Sequence, residues 1–260
     1  MNVVAQTARQ VGFENRSFWR NPPAAFFTFV FPLMFLVIFN LIFGGDDIPL
    51  GAGQTISGST FYVPAIAAFS VITACYTNIA IAVATSRDLG ILKRVRGTPL
   101  PAGSYLLARV IHASLMALLL VAVVTAFGMI FYGVEAPSET PLHFVLTILV
   151  GAAAFSALGL ALTAAIPNAQ AAPAVVNASI LPLLFVSNIF IPLNEAPEWL
   201  ETFSKFFPVR HYADAMAASF VPDSLAPQFV FDWFSLVVVA AWGIGGLLLA
   251  TRFFSWEPRR

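Results

Sequence analysis

Charge is scarce in this sequence: Asp, Glu, Lys and Arg make up 10% of its 260 residues, against roughly 25% in an ordinary soluble domain. No Asp or Glu stands near the middle of the apolar runs, where an ion-coupled pump tends to carry an ionisable group. Cysteine is nearly absent too. The single Cys75 excludes an intrachain disulfide and a cysteine metal cluster. No G-x-x-x-x-G-K-[ST] loop occurs, so the chain has no standard cradle for a nucleoside triphosphate. H-E-x-x-H and G-x-S-x-G are likewise missing. The three histidines, His112, His143 and His211, are scattered, and each reads as a lone satisfied or interfacial side chain.

What the chain has in excess is apolar surface, 59% of its residues, with 26 phenylalanines. Six runs reach the roughly 20 residues needed to cross a bilayer as a helix: 24–43, 61–85, 105–131, 142–166, 172–193 and 231–254. Helices are expected because a lipid-facing segment must satisfy its own backbone hydrogen bonds, and these runs lack the alternation of barrel strands. The first run is Phe-rich, ends in FGGDD without an A-x-A cleavage pattern, and is followed by further spans, so it reads as a span and not a signal peptide. The fold class expected is an all-α polytopic membrane protein, with residues 1–260 as one transmembrane domain.

The signs of the charges orient it. Arg9, Arg16 and Arg20 precede the first span, Arg87, Lys93, Arg94 and Arg96 join the second to the third, Arg109 lies just inside the third, and Arg252, Arg259 and Arg260 flank the last. All fall on one side, which the retention of Lys and Arg makes cytoplasmic, with both termini. The other side holds Asp46, Asp47, Glu135, Glu139, Glu195, Glu198, Glu201, Asp214 and Asp223, against Lys205 and Arg210 alone.

Two segments outside the spans carry their own pattern. In 1–21, helical spacing sets Val4, Ala8, Val11, Phe18 and Trp19 apart from Arg9, Arg16 and Arg20, as an interfacial helix requires. Asn21 then reads as an N-cap with Pro22 at the first helical position. In 194–230, Trp199, Leu200, Phe203, Phe206 and Phe207, then Tyr212, Ala215, Met216 and Phe220, recur at helical spacing on either side of Pro208. Two short amphipathic helices at or dipping into the outer leaflet are expected.

The most specific stretch is RDLGILKRVRGTPLP at 87–101. Positive charge in an inner loop satisfies orientation alone, but the ending says more. A helix running through RDLGILKRVR, capped by Gly97 in the left-handed region and held by Pro99 and Pro101, makes a rigid basic knob. Gly90 marks a bend within it.

With the basic leader FWRNPPAAFFTFVFPLMFLVIF and the outer PEWLETFSKFFPVRHYADAM, this loop resembles the membrane permease subunit of ABC type-2 exporters, close to bacterial daunorubicin-type drug-resistance permeases. The resemblance implies a six-span half-transporter that pairs with a second permease, in a homodimer or heterodimer, and docks on two separate ATPase subunits. Those partners would bind ATP and Mg; no cofactor is implied in this chain, and no nucleic acid. The loop at 86–101 would hold the coupling helix, with Arg87, Asp88, Leu89, Gly90, Leu92, Lys93, Arg94 and Arg96 matching it by position. The leader would be the connecting helix beside it, 194–230 an extracellular segment, and the location a bacterial plasma membrane.

In the first span Phe27, Phe31, Phe35, Phe39 and Phe43 recur every fourth residue, with Asn40 beside them. Asn177 and Asn188 of the fifth run are eleven residues apart, which puts them on one face of a continuous helix. The family places the first and fifth spans at the contact between permeases, around the export path. Phe31, Phe35, Phe39, Asn40, Asn177 and Asn188 are therefore candidates for a greasy path with sparse polar contacts, suited to drug, lipid or glycan-type cargo. A lipid-facing ridge with asparagines joining helices fits the same residues. An intramembrane lipid-modifying enzyme would need an acid, base or nucleophile clustered at one depth, and no such cluster is evident. A scaffold or channel would work without a partner ATPase.

Overall fold

The computed structural model describes residues 3–51, 54–98, 101–137, 141–193, 196–220 and 232–257. Pro99, Glu139, Glu195, Asp223, Arg259 and Arg260 lie outside these residues. The chain is an all-α polytopic membrane protein, with one small hairpin among the described residues. Its elements are α1 (Val3–Trp19), α2 (Pro22–Phe43), β1 (Asp47–Gly51), β2 (Gln54–Ser57), α3 (Gly58–Ile72), a π-turn (Thr73–Thr77), α4 (Asn78–Asp88), α5 (Ile91–Arg96), α6 (Ala102–Tyr132), α7 (Pro141–Leu162), α8 (Ala172–Phe185), α9 (Glu198–Ser204), α10 (Pro208–Ala218) and α11 (Trp233–Phe253). Among the described residues, five helices are long and apolar enough to cross a membrane: α2, the continuous α3–α4, α6, α7 and α11.

The turn into α2 forms as its sequence requires. Asn21 caps it, its Oδ1 accepting from the backbone N–H of Ala24 at 3.4 Å, and Pro22 opens the helix with a residue that has no N–H to leave unpaired. α1 packs on α6, where Glu14 meets Arg109 and the Phe18 ring meets His112, and Thr7, Gln10 and Val11 are also turned away from solvent. Only Val11 and Phe18 of the expected apolar face turn inward. Val4 and Trp19 stay exposed beside them, the orientation an interfacial helix uses toward lipid.

The span α3–α4 is the central helix, buried along most of its length, because alanines 67, 68, 74, 80 and 84 let neighbours approach closely. Its π-turn rests against α7, where a Cβ added at Gly159 would lie 2.7 Å from the Tyr76 carbonyl oxygen. α7 and α11 meet along small residues. A Cβ at Gly243 would lie 2.7 Å from Ala154 Cα, so glycine sets this spacing in a seam where helices gain by van der Waals contact.

Three expectations need correction. The fifth run is not one long helix: α8 ends at Phe185, about 21 Å of helix, and the chain after it is irregular through Asn188, at φ 58°. The left-handed glycine of the basic loop is Gly90, at φ 70°, and not Gly97, at φ −85°. The helix therefore breaks at Gly90 instead of running through, since only glycine takes that conformation without strain. The outer helices do not both lie on the leaflet, because α10 is wedged into the bundle with Val209, Tyr212, Ala215 and Met216 buried. One further element has no counterpart among the expectations: in the 44–57 connection β1 and β2 pair antiparallel, Ile48 opposite Ile56, and both isoleucines pack on Tyr62.

Candidate functional site

The basic loop folds into a short exposed helix on a fixed stem. α4 ends at Asp88, Gly90 reverses the backbone, and α5 follows at once. Leu92 is fully buried and Val95 half-buried, so α5 is nailed to the bundle by one edge. Lys93, Arg94 and Arg96 point out on the other edge, and Leu89 is 63% exposed beside them. The end is tight: Gly97 N donates to Arg94 O and Thr98 N to Val95 O, both at 3.0 Å, while Thr98 Oγ1 donates to Val95 O at 2.7 Å. Three cations in the last turn also suit the negative end of the helix.

Arg87 and Asp88, grouped with these residues in the sequence, are placed differently. Arg87 is 2% exposed and points inward, its Nη1 donating to the Thr163 carbonyl at 2.8 Å and its Nη2 to the Ile166 carbonyl. Asp88 Oδ2 accepts from the backbone N–H of Ala169 at 3.0 Å. Both side chains therefore grip the turn between α7 and α8, and do not face outward with α5.

The sequence missed a second junction. Arg109, one to two turns into α6, donates through Nη2 to Ser86 Oγ at 2.8 Å and to Tyr105 OH at 2.7 Å, and its Nε lies 3.4 Å from Glu14 Oε1 of α1. Gln10 Nε2 donates to the same Glu14 oxygen at 3.1 Å. The readable signal was the cation itself, which inside an apolar run is costly unless a partner meets it. Arg109→Met, which keeps most of the stem but not the charge, is expected to cost about 2 kcal/mol. Hydrogen exchange should rise across residues 3–19 and stay at parent level in α7. Unchanged protection of α1 would remove Arg109 as its anchor.

The phenylalanine ridge of α2 closes inside the protomer over part of its length. Phe35 and Phe39 stack on Phe190 with centroids 5.5 and 5.8 Å apart, and Phe39 stacks on Tyr62 at 5.0 Å. Phe31 is partly exposed and Phe27 more so. Asn40 is buried, its Nδ2 donating to Leu36 O at 2.9 Å, with Oδ1 lacking a hydrogen-bond partner among the described residues. Asn177 and Asn188 do not share a face, because α8 stops between them. Asn177 is exposed on the helix. Asn188 instead organises the chain after it, Oδ1 accepting from Leu193 N at 2.8 Å and Nδ2 donating to Asp214 Oδ1 at 3.1 Å.

That last contact belongs to a polar cluster at the α10 end. Arg210 Nε donates to Asp214 Oδ2 at 2.7 Å. Burial raises the Asp214 carboxyl above the ordinary carboxylate range, opposed by the Arg210 charge and by hydrogen bonds from Arg210 and Asn188. Exposed Glu201 goes the other way, lowered by its hydrogen bond with Lys205. His211 bridges the Lys205 carbonyl, at 2.8 Å, and Ser235 Oγ, at 3.1 Å, while His143 Nδ1 lies 2.9 Å from Ser219 Oγ. Each of these two histidines joins separate elements. Among the described residues no three His, Cys, Asp or Glu side chains are grouped to hold a metal ion.

Two grooves open between the spans. One of about 680 Å³ lies between α6, α7 and α11, floored by Ala153, Ala154 and Ala157 and ending at Phe254 and Trp256. The second, about 550 Å³, is lined by Tyr76, Leu162, Ala165, Ile180, Trp242 and Phe253 among others. Both are mostly apolar and of a size that suits small hydrophobic molecules.

Comparison with known proteins gives a consistent result. Residues 6–221 match the model of the family described as ABC-2 type transporter. The chain is 23% identical over 184 residues to the probable multidrug ABC transporter permease YbhR of Escherichia coli, covering 70% of this chain and 50% of that protein. It is 24% identical over 212 residues to YvfS of Bacillus subtilis, named a transport permease, covering 82% and 83%. To ycf38 of Cyanophora paradoxa, also named a transport permease, it is 26% identical over 185 residues, covering 69% and 62%. The aligned region thus spans about half the length of the E. coli relative.

Proposed function

Because the chain belongs to the ABC-2 type transporter family and is a multi-pass membrane protein with no nucleotide cradle of its own, we propose that it is the permease half of an ATP-driven exporter. In this reading two ABC ATPase subunits dock on the end carrying α5, in the cytoplasm, and bind ATP and Mg. A second permease, identical or related, pairs with the exposed rims of α2 and α8. The cargo is hydrophobic or amphipathic and leaves across the plasma membrane.

The observation that carries the proposal is α5 itself. A helix of six residues would not hold together alone in water, yet this one is fixed by buried Leu92 and offers three cations to a partner. Such a part takes a push without bending. Closure of the ATPase pair on ATP would press on α5, shift α4, and change the relative populations of inward-open and outward-open arrangements. Phe27 and Phe31 on α2, with Asn177, Leu181 and Phe185 on α8, are among the exposed side chains available to cargo or to the second permease. No residue of this chain makes or breaks a covalent bond in this scheme.

The test is reconstitution in liposomes with and without ABC ATPase subunits, following ATP hydrolysis and the movement of a lipophilic dye. The reading expects both activities only when both components and ATP are present. Dye movement by the permease alone, without nucleotide, would make it a channel. Chemical change in added lipids would make it an enzyme.

A further inference from the structure

Ser86, Arg87 and Asp88 are consecutive at the stem of α5, and they are tied to two different parts of the protein. Ser86 accepts from Arg109, which leads to Glu14 of α1. Arg87 holds the carbonyls of Thr163 and Ile166, beyond the end of α7. Asp88 holds the N–H of Ala169, three residues before α8. A single residue capping a helix end would be ordinary. Two successive side chains clasping one turn from both its acceptor and its donor sides, with the preceding residue tied to the opposite neighbour, fix the stem in more than one direction.

We infer that this triplet divides the movement of α5, and that Arg87 and Asp88 are the positioning residues that carry it to the α7–α8 turn. The inference rests on the permease reading for its purpose, though not for its geometry. Its reach into the membrane is on the page: Leu162, Ala164 and Ala165, from the gripped turn, line the groove of about 550 Å³ that Ile180 and Leu183 of α8 also line. A shift of α5 that drags the turn therefore alters the shape of that groove. Backbone continuity links α5 directly only to α4 and α6. Without the clasp, α7 and α8 would follow through apolar packing, which constrains sliding far less than charge-assisted hydrogen bonds with fixed geometry.

The test uses the purified chain in lipid nanodiscs, with no ATPase. Spin labels are placed on Lys93→Cys and Gln170→Cys, both exposed, and on a control pair, Lys93→Cys and Leu107→Cys; native Cys75 is buried. Distance distributions are read by pulsed electron resonance in parent, Arg87→Gln and Arg87→Lys backgrounds. The expected result is a narrow 93–170 peak in the parent, its loss in Arg87→Gln, partial recovery in Arg87→Lys, and an unchanged 93–107 peak throughout. A narrow 93–170 peak in Arg87→Gln overturns the inference, and so does equal broadening of both pairs, which would mean general loosening. Should Arg87→Gln fail to fold, Asp88→Asn is judged by the same two outcomes. Because no partner is needed, failure here is separate from failure of the permease reading, which the liposome experiment decides.

Discussion

Replacing Lys93, Arg94 and Arg96 together by Glu should abolish co-purification of the ABC ATPase subunits while leaving the helix content and thermal unfolding of the permease near parent values. The three side chains are exposed, whereas Leu92 and Val95 hold α5 in place, so reversal changes what a partner meets and leaves the anchor alone. Truncating one partner of a hydrogen-bonded charge pair that docking buries costs about 2–5 kcal/mol, and a pair left at the rim costs less. A combined loss of about 4 kcal/mol would weaken binding on the order of a thousandfold. The neutral triple change to Gln should fall between, and association of the parent should weaken with added salt, because rim charges are screened. Leu92→Ala is the contrasting variant: it keeps every charge and removes the anchor, at a cost of about 2–5 kcal/mol to local folding. Undiminished co-purification after full reversal would put the docking surface somewhere other than α5.

Gly151→Ala should destabilise the protein, although glycine to alanine inside a helix ordinarily gains up to about 1 kcal/mol. The reason is the buried α10. A Cβ at Gly151 would enter the ring of Tyr212, whose Cζ and Oη would lie 2.4 and 2.7 Å away and whose Cε2 would be closer still. Tyr212 is fully buried and packs edge-on against Phe155 at 5.2 Å, so the ring has little room to retreat. Overpacking of this kind costs about 1–3 kcal/mol, and here it should partly expel α10, exposing the bond after Arg210 to trypsin. Tyr212→Phe keeps the clashing ring and should not rescue Gly151→Ala. Tyr212→Leu leaves a cavity of its own, so the double variant should lose less than the sum of the single losses, by about 1–3 kcal/mol. Additive losses, read by thermal unfolding in detergent, would show that the two side chains do not meet.

Particular residues show where sequence reasoning worked. The spacing of the apolar runs placed α2, α6, α7 and α11 within a few residues, because each is helical along nearly its whole apolar length. Asn21 and Pro22 announced a helix start whose chemistry is local. The fifth run failed for the opposite reason: hydropathy is as high after Phe185 as before it, and the chain past the stop is held by Asn188 bonding to Asp214, twenty-six residues away. Gly97 and Gly90 were both able to take a left-handed turn. The fixed positions of Arg87 and Leu92 relative to the bundle chose Gly90.

The candidate site divides along the same line. Exposed Lys93, Arg94 and Arg96 could be picked out as a group because their position depends only on helical spacing and on charge. Arg87 and Asp88 stand in the same charged stretch of the sequence, yet they face the turn at 163–169, and Arg109 joins Glu14 and Ser86 from three separate stretches.

From sequence alone came the membrane class, the approximate spans and the basic character of the knob, since each of these depends on composition or on neighbours within a few residues. Only the tertiary structure decided which cations are free for a partner and which are locked to another helix, where α8 ends, and that α10 sits inside the bundle. Burial and hydrogen bonding of a charged or polar side chain depend on groups brought near by packing, and separation along the chain carries almost no record of that.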